Sequence, residues 1–224
     1  MRWRNEHVRR ILELARAEAA LLGHQYLGPE HLLLGILRDD GGTAAGVLRA
    51  QGADLESARA ALHRLADQGV VPGPRPSDAE LLGAIGIDLE AVRREIEHSF
   101  DEQAIQKAAK EATRARRRGV GRVPRTPLQG PPMLATQALQ LSRTQAKALD
   151  IDKLTPELLL LGVLVDIWTP RPRCLSNPWT RRLHASVGLP EAYQGAAGPL
   201  LAALGVDPKR LHDAVSAELR DAVS

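Results

Sequence analysis

The sequence predicts an all-α protein built by duplication, and three observations predict it. Aromatic residues make up 3% of the chain against 44% hydrophobic residues overall. A core of Leu, Ala, Val and Ile suits packed helices better than sheets. Apolar residues recur at helical spacing in most long segments. And one stretch of twelve residues occurs twice without a gap. GPEHLLLGILRD, Gly28 to Asp39, lies over TPELLLLGVLVD, Thr155 to Asp166, with eight identities.

The first helix is expected from about Asn5 to Leu22. Val8, Ile11, Leu12, Ala15, Ala19 and Leu22 form its apolar face. Arg9, Arg10, Glu13 and Glu18 fall mostly off that face, and Gly23 supplies a left-handed end. The second helix starts at Gly28-Pro29-Glu30, with proline at the first helical position and an acid at the positive end of the dipole. Its leucines run nearly all round, so it must be central and buried. Gly41-Gly42 breaks it. A third helix covers about Thr43 to Gln51. Asp54 caps a fourth, with Leu55, Ala58, Leu62 and Leu65 on one face.

Gly69 to Pro76 is a linker by composition. Ser77 and Glu80 have capping-box spacing and open a short helix to about Ile85. A longer helix follows Asp88, with Leu89, Val92, Ile96 and Phe100 on its apolar face, extending toward Arg118. Gly119 to Pro132 is a second linker. The pattern restarts at Met133, with helix starts near Leu134 and Pro156. An irregular stretch from about Ile167 to Gly198 holds Trp168 and Trp179. A final helix pair meets at Gly205 and Asp207. The expected segments are therefore a first repeat over 1–70, a helical insertion with a basic end over 77–118, a linker over 119–132, and a second repeat over 133–224.

A second motif occurs three times, from Val47, Leu81 and Leu200. Each copy is an apolar helix end, a glycine, an Asp two residues on, and another amphipathic helix. Glycine ends one helix and Asp caps the next. Gly-x-Asp alone is a common helix junction; in the same order as the long repeat, it speaks for duplication.

Several function classes lack their residues. There is no GxxxxGK[ST], GxSxG or HExxH. Cys174 is the single cysteine. It has neither a disulfide partner nor an identifiable base, and reads as an inert thiol. The start, MRWRNEHVRR, lacks the apolar core of a secretory signal, and no apolar run is long enough to span a bilayer. A cytoplasmic, non-enzymatic protein without cofactor or metal is expected.

The stretch from Glu6 to Gly69 resembles the N-terminal repeat of Clp-family unfoldases. ILELARAEAALLGHQYLGPEHLLLGILRD, then GTAAGVL and the Gly-x-Asp caps, carry the resemblance. LSRTQAKALDIDKLTPELLLLGVLVD resembles the second repeat, with Leu158 where the first has His31. The resemblance implies two four-helix repeats related by a pseudo-twofold, here separated by a helical and basic insertion and without the ATPase modules. It also implies binding of Clp substrates, adaptors or unfoldase and protease components, as adaptor, competitor or sequestering decoy.

In Clp N-domains resembling this one, acids matching Glu30 and Glu157 help form pockets for phosphorylated arginine. A carboxylate can grip a guanidinium through two hydrogen bonds, and helix-start amides can receive a phosphate. Each acid equally serves its helix dipole, worth about 0.3–1 kcal/mol. Where the family usually has Thr before this Glu, this chain has Pro29 and Pro156. His31 reads as a packed or capping residue rather than a metal ligand. If the acids line pockets, both carboxylates should be partly exposed, with the first repeat the better site.

Net charge is +3, yet Gln103 to Gly130 holds eight basic residues against Glu111 alone. Arg114, Arg116, Arg117, Arg118 and Arg122 form the densest part. A solvated linker needs no partner. An electrostatic patch there could bind nucleic acid, which gives a nucleic-acid-associated regulator as the alternative function. No aromatics interleave the arginines, so base stacking has no support.

Overall fold

The computed structural model describes residues 6–24, 26–73, 83–99, 111, 133–169, 189, 193 and 195–223. Among these residues every regular element is an α-helix. Two compact units divide the chain: residues 1–74 with 126–224, and residues 75–125.

In the larger unit the first repeat supplies α1 (Glu6–Leu21), α2 (Pro29–Arg38), α3 (Thr43–Ala50) and α4 (Leu55–Asp67). The first face of α1 buries Val8, Ile11, Ala15 and Ala19 as the spacing predicts. It also buries Glu18, which the spacing places off that face. α2 is buried from Pro29 to Leu37, as its continuous apolar sequence requires.

In the smaller unit α5 covers Leu89–Ser99. Asp88 opens it by accepting from the Glu90 and Ala91 amides. Val92, expected on an apolar face, is exposed, as are Ile85 and Ile87. The expected capping pair Ser77 and Glu80, Phe100 and the basic end lie outside the described residues.

The second repeat supplies α6 (Met133–Ala148), α7 (Pro156–Trp168), α8 (Ala197–Ala203) and α9 (Pro208–Val223). α7 ends at Trp168, close to the expected boundary near Ile167; most of the stretch that follows lies outside the described residues. The Trp168 indole is half-exposed and meets His212 edge-on at 5.9 Å.

The packing follows a pseudo-twofold. α1 lies on α2 as α6 lies on α7, and α2 meets α7 at the centre. Each outer helix then finds its counterpart's partner: α3 meets α9 and α4 meets α8, while α1 reaches α7 and α6 reaches α2. One continuous core of leucines and alanines runs through both repeats.

The conserved spacing of the duplication has a packing cause. A Cβ on Gly35 would lie 2.7 Å from the Ile11 carbonyl oxygen and 2.8 Å from Ala15 Cβ. A Cβ on Gly162 would lie 2.5 Å from the Ala138 carbonyl oxygen and 2.6 Å from the Ser142 amide nitrogen, and would also overlap the Ser142 hydroxyl. The pairs 35 and 162, 11 and 138, and 15 and 142 keep one constant offset. Glycine is needed because the two backbones touch there. The Gly-x-Asp junctions behave alike in all three copies: Gly52, Gly86 and Gly205 have φ of 89°, 82° and 70°, a conformation only glycine adopts freely. Asp54 and Asp207 accept from the Ser57 and Lys209 amides, each at 2.9 Å.

Candidate functional site

Glu30 stands in the first turn of α2, where the sequence places it, but its carboxylate is not partly exposed. It is fully buried. One oxygen accepts from the Ala196 amide at 2.9 Å and the other from the Tyr193 hydroxyl at 3.2 Å. Both donors come from the second repeat, just before α8. The carboxyl group folds back over Gly28, where any Cβ would overlap its oxygens. On the far side, Gly195 presses on Pro29, so that a Cβ there would come within 2.6 Å of Pro29 Cγ. Two glycines thus give the carboxylate its room, and a tyrosine and an amide hold it.

The aromatic side of this cluster is a proton-ordered chain. The Gly28 amide donates to His31 Nδ1 at 2.9 Å. His31 must then carry its own proton on Nε2, which it donates to His24 Nδ1 at 2.8 Å. Both rings are therefore neutral. Burial holds His24 down at about 4, helped by the neighbouring His31, and holds His31 down at about 3. Tyr26 stacks on His24 at 5.2 Å and meets Tyr193 edge-on. The Tyr193 proton goes to Glu30, so Tyr26 donates to Tyr193 at 3.0 Å. Burial, and then the charge of Glu30, raises both phenols well above their usual range. His31 is a capping and packing residue, as its spacing suggests.

The equivalent place in the second repeat is built differently. Thr155 caps α7, its hydroxyl accepting from the Leu158 amide at 3.3 Å. Leu158, in the place of His31, is fully buried in the apolar core. Glu157 is half-buried, and no described residue hydrogen-bonds or ion-pairs with its carboxylate. Of the two predicted acids, this is the one that is not fully buried and whose carboxylate no described residue claims. It can pair with a guanidinium, and the α7 dipole favours an anion next to it.

Arg114, Arg116, Arg117, Arg118 and Arg122, with Cys174 and Trp179, lie outside the described residues. Among the described residues no group of three His, Cys, Asp or Glu side chains could hold a metal ion, and no helix is long and apolar enough to cross a membrane. Spacing alone missed Tyr26 and Tyr193. Their scarcity was the available signal, since they are the chain's two tyrosines. It also missed Glu18, which joins Arg38 at 2.8 Å and Arg59 at 2.6 Å. Burial alone would raise the Glu18 carboxyl; the two guanidinium groups outweigh it and hold it below its usual range.

Comparison with known proteins covers both repeats unequally. A family model described as the Clp repeat (R) N-terminal domain matches residues 4–79. The chloroplastic chaperone protein ClpC1 of Oryza sativa subsp. japonica is 51% identical over 57 residues, which are 25% of this chain and 6% of that protein. A probable ATP-dependent Clp protease ATP-binding subunit of Chlamydia pneumoniae is 44% identical over 61 residues, 27% of this chain and 7% of that protein. The chain thus matches only a small part of the length of these relatives. The crystal structure of the N-terminal domain of the caseinolytic protease associated chaperone ClpD from Arabidopsis thaliana superposes with a TM-score of 0.53 at 14% identity, covering 98% of this chain and 97% of that one. The chain therefore carries a Clp N-terminal repeat domain at residues 4–79 and, taken whole, has the all-helical fold of a Clp N-terminal domain.

Proposed function

We propose that this chain is a non-catalytic protein- and peptide-binding module of the Clp unfoldase system, acting in the cytoplasm on substrates or adaptors. Its roles within that reading are adaptor, competitor or sequestering decoy. The observation that carries it is the first repeat, half identical to Clp chaperones over 57 residues and packed with a second repeat in one core. The chemistry available for recognition is the half-buried Glu157 carboxylate at the start of α7, a partner for the guanidinium of a phosphoarginine side chain. Glu30 is its counterpart in the first repeat. The test is titration with a phosphoarginine-bearing peptide, together with capture of Clp components from the native cytoplasm. Binding that Glu157→Gln abolishes is expected. A folded protein that binds neither the peptide nor any Clp component would overturn the proposal.

A second reading rests on the charge of the Gln103–Gly130 segment, eight basic residues against one acid. It makes the chain a nucleic-acid-associated regulator. Affinity for DNA or RNA should then fall steeply with salt and weaken when Arg116, Arg117 and Arg118 are neutralised. Absence of binding at about 50 mM salt removes this reading.

A further inference from the structure

We propose that the acidic site of the first repeat is occupied from within: Tyr193 and Ala196 of the second repeat hold the Glu30 carboxylate as an autoinhibitory contact, leaving Glu157 as the site open to ligand. This rests on the peptide-binding role given to these acids above.

The observations are geometric. Glu30 and Glu157 occupy equivalent places in the two repeats, yet only Glu30 is fully buried. Its oxygens are claimed by an N–H and an O–H, at 2.9 and 3.2 Å. Both are hydrogen-bond donors, and they fill the two acceptor oxygens that a guanidinium would engage with two N–H groups. Tyr193 is itself held by Tyr26, so the hydroxyl is aimed before it meets the acid. Gly195, at φ 97°, brings the chain close against Pro29. The two donors differ in their footing: Ala196 is buried in the core at the start of α8, whereas Tyr193 lies three residues before it and holds Glu30 by its side chain alone.

The test uses the full chain and a phosphoarginine-bearing peptide in calorimetric titration. Wild type should bind one equivalent, and Glu157→Gln should abolish it. Adding Tyr193→Ala to Glu157→Gln should restore binding by at least about tenfold, the factor that one well-made charge-assisted contact carries. Adding Glu30→Gln to that pair should remove it again. Tyr193→Phe keeps the ring and removes only the hydroxyl. It serves if Tyr193→Ala does not fold, with a smaller gain expected in the same background. The Ala196 amide should be protected from hydrogen exchange in wild type and lose that protection in Glu30→Ala, which removes its acceptor. Two equivalents on wild type, one of them lost in Glu30→Gln, would overturn the internal occupant while leaving the ligand reading intact. So would a folded Glu157→Gln/Tyr193→Phe that stays silent while wild type binds. Silence of every variant, wild type included, overturns both.

Discussion

Glu30 and Glu157 each follow a proline that starts a central helix, and each precedes the same run of leucines. Glu30 is fully buried, with two donors from the other repeat. Glu157 is half-buried, and no described residue claims it. The helix around them is not the cause, because α2 and α7 pack alike. The difference comes from what stands beside them: Gly28, His31 and the two tyrosines in one case, Thr155 and Leu158 in the other. Duplication copied the scaffold, and the polar neighbours diverged on top of it.

The scaffold should give the largest effects and treat the repeats alike. Gly35→Ala and Gly162→Ala each place a Cβ inside backbone contact distance of the facing helix. Overpacking against backbone should cost about 3 kcal/mol or more, since no flexible side chain can yield. Chemical denaturation measures it. Gly46→Ala is the control, on an exposed turn of α3 where a Cβ meets nothing within 4 Å. It should be neutral or stabilise by about 0.5–1 kcal/mol. If Gly162→Ala is as mild as Gly46→Ala, the close crossing of α6 and α7 is wrong.

The two acids should then separate. As a partly exposed helix-start acid, Glu30 would be worth only about 0.3–1 kcal/mol. Burial reverses that expectation, because the Tyr193 hydroxyl and the Ala196 amide lose their acceptor. Leaving buried donors unpaired costs about 1–3 kcal/mol. Glu157→Ala removes only a helix-start charge and should cost under about 1 kcal/mol. Equal melting temperatures for the two variants would erase the distinction between the repeats.

These outcomes bear on what the sequence could reveal. The duplication, the helix starts and the glycine junctions were legible because each depends on local chemistry or on a glycine that nothing else replaces. The end of α7, expected near Ile167 and found at Trp168, was legible too, because Pro and Arg crowd the sequence just beyond it. Glu18 looked solvated because periodicity counts only apolar residues and cannot see Arg38 and Arg59 arriving from other helices. The Glu30 contacts were illegible for the same reason: their donors lie more than 160 residues away along the chain.

Acid should act through the first repeat. His24 and His31 are held at about 4 and about 3 in the folded protein, below the 6.5 of a free histidine. Between those values and 6.5 the unfolded chain binds protons that the folded chain does not. Their stabilisation is thus fully present above about pH 6.5 and declines as pH falls, by up to about 1.4 kcal/mol per pH unit for each ring. Glu18 adds its own loss only as pH falls below 4.5 toward its lowered folded value. Denaturation at pH 7, 6 and 5 should show this slope. His31→Leu installs the residue of the second repeat. It should cost about 1–2 kcal/mol at pH 7, since the Gly28 amide loses its acceptor, and roughly halve the slope. An unchanged slope would remove the buried pair as the source of acid sensitivity.

The smallest effects concern the caps themselves. Thr155 donates no proton to α7; its hydroxyl accepts from the Leu158 amide and satisfies one of the helix-start donors. Thr155→Ala should cost about 1 kcal/mol and Thr155→Gly only a few tenths, because glycine leaves the amide open to water. In the first repeat the cap is inverted. Gly28 offers no side chain, and His31 reaches back to the Gly28 amide instead. Gly28→Thr therefore transplants a good capping residue into a place that cannot take it. Its Cβ would overlap the Glu30 carboxylate and force that group off Tyr193 and Ala196. The same threonine that supports the second repeat should destabilise the first, and thermal melts of Thr155→Gly and Gly28→Thr decide it. A stabilised Gly28→Thr would mean that Glu30 can leave its buried place at little cost.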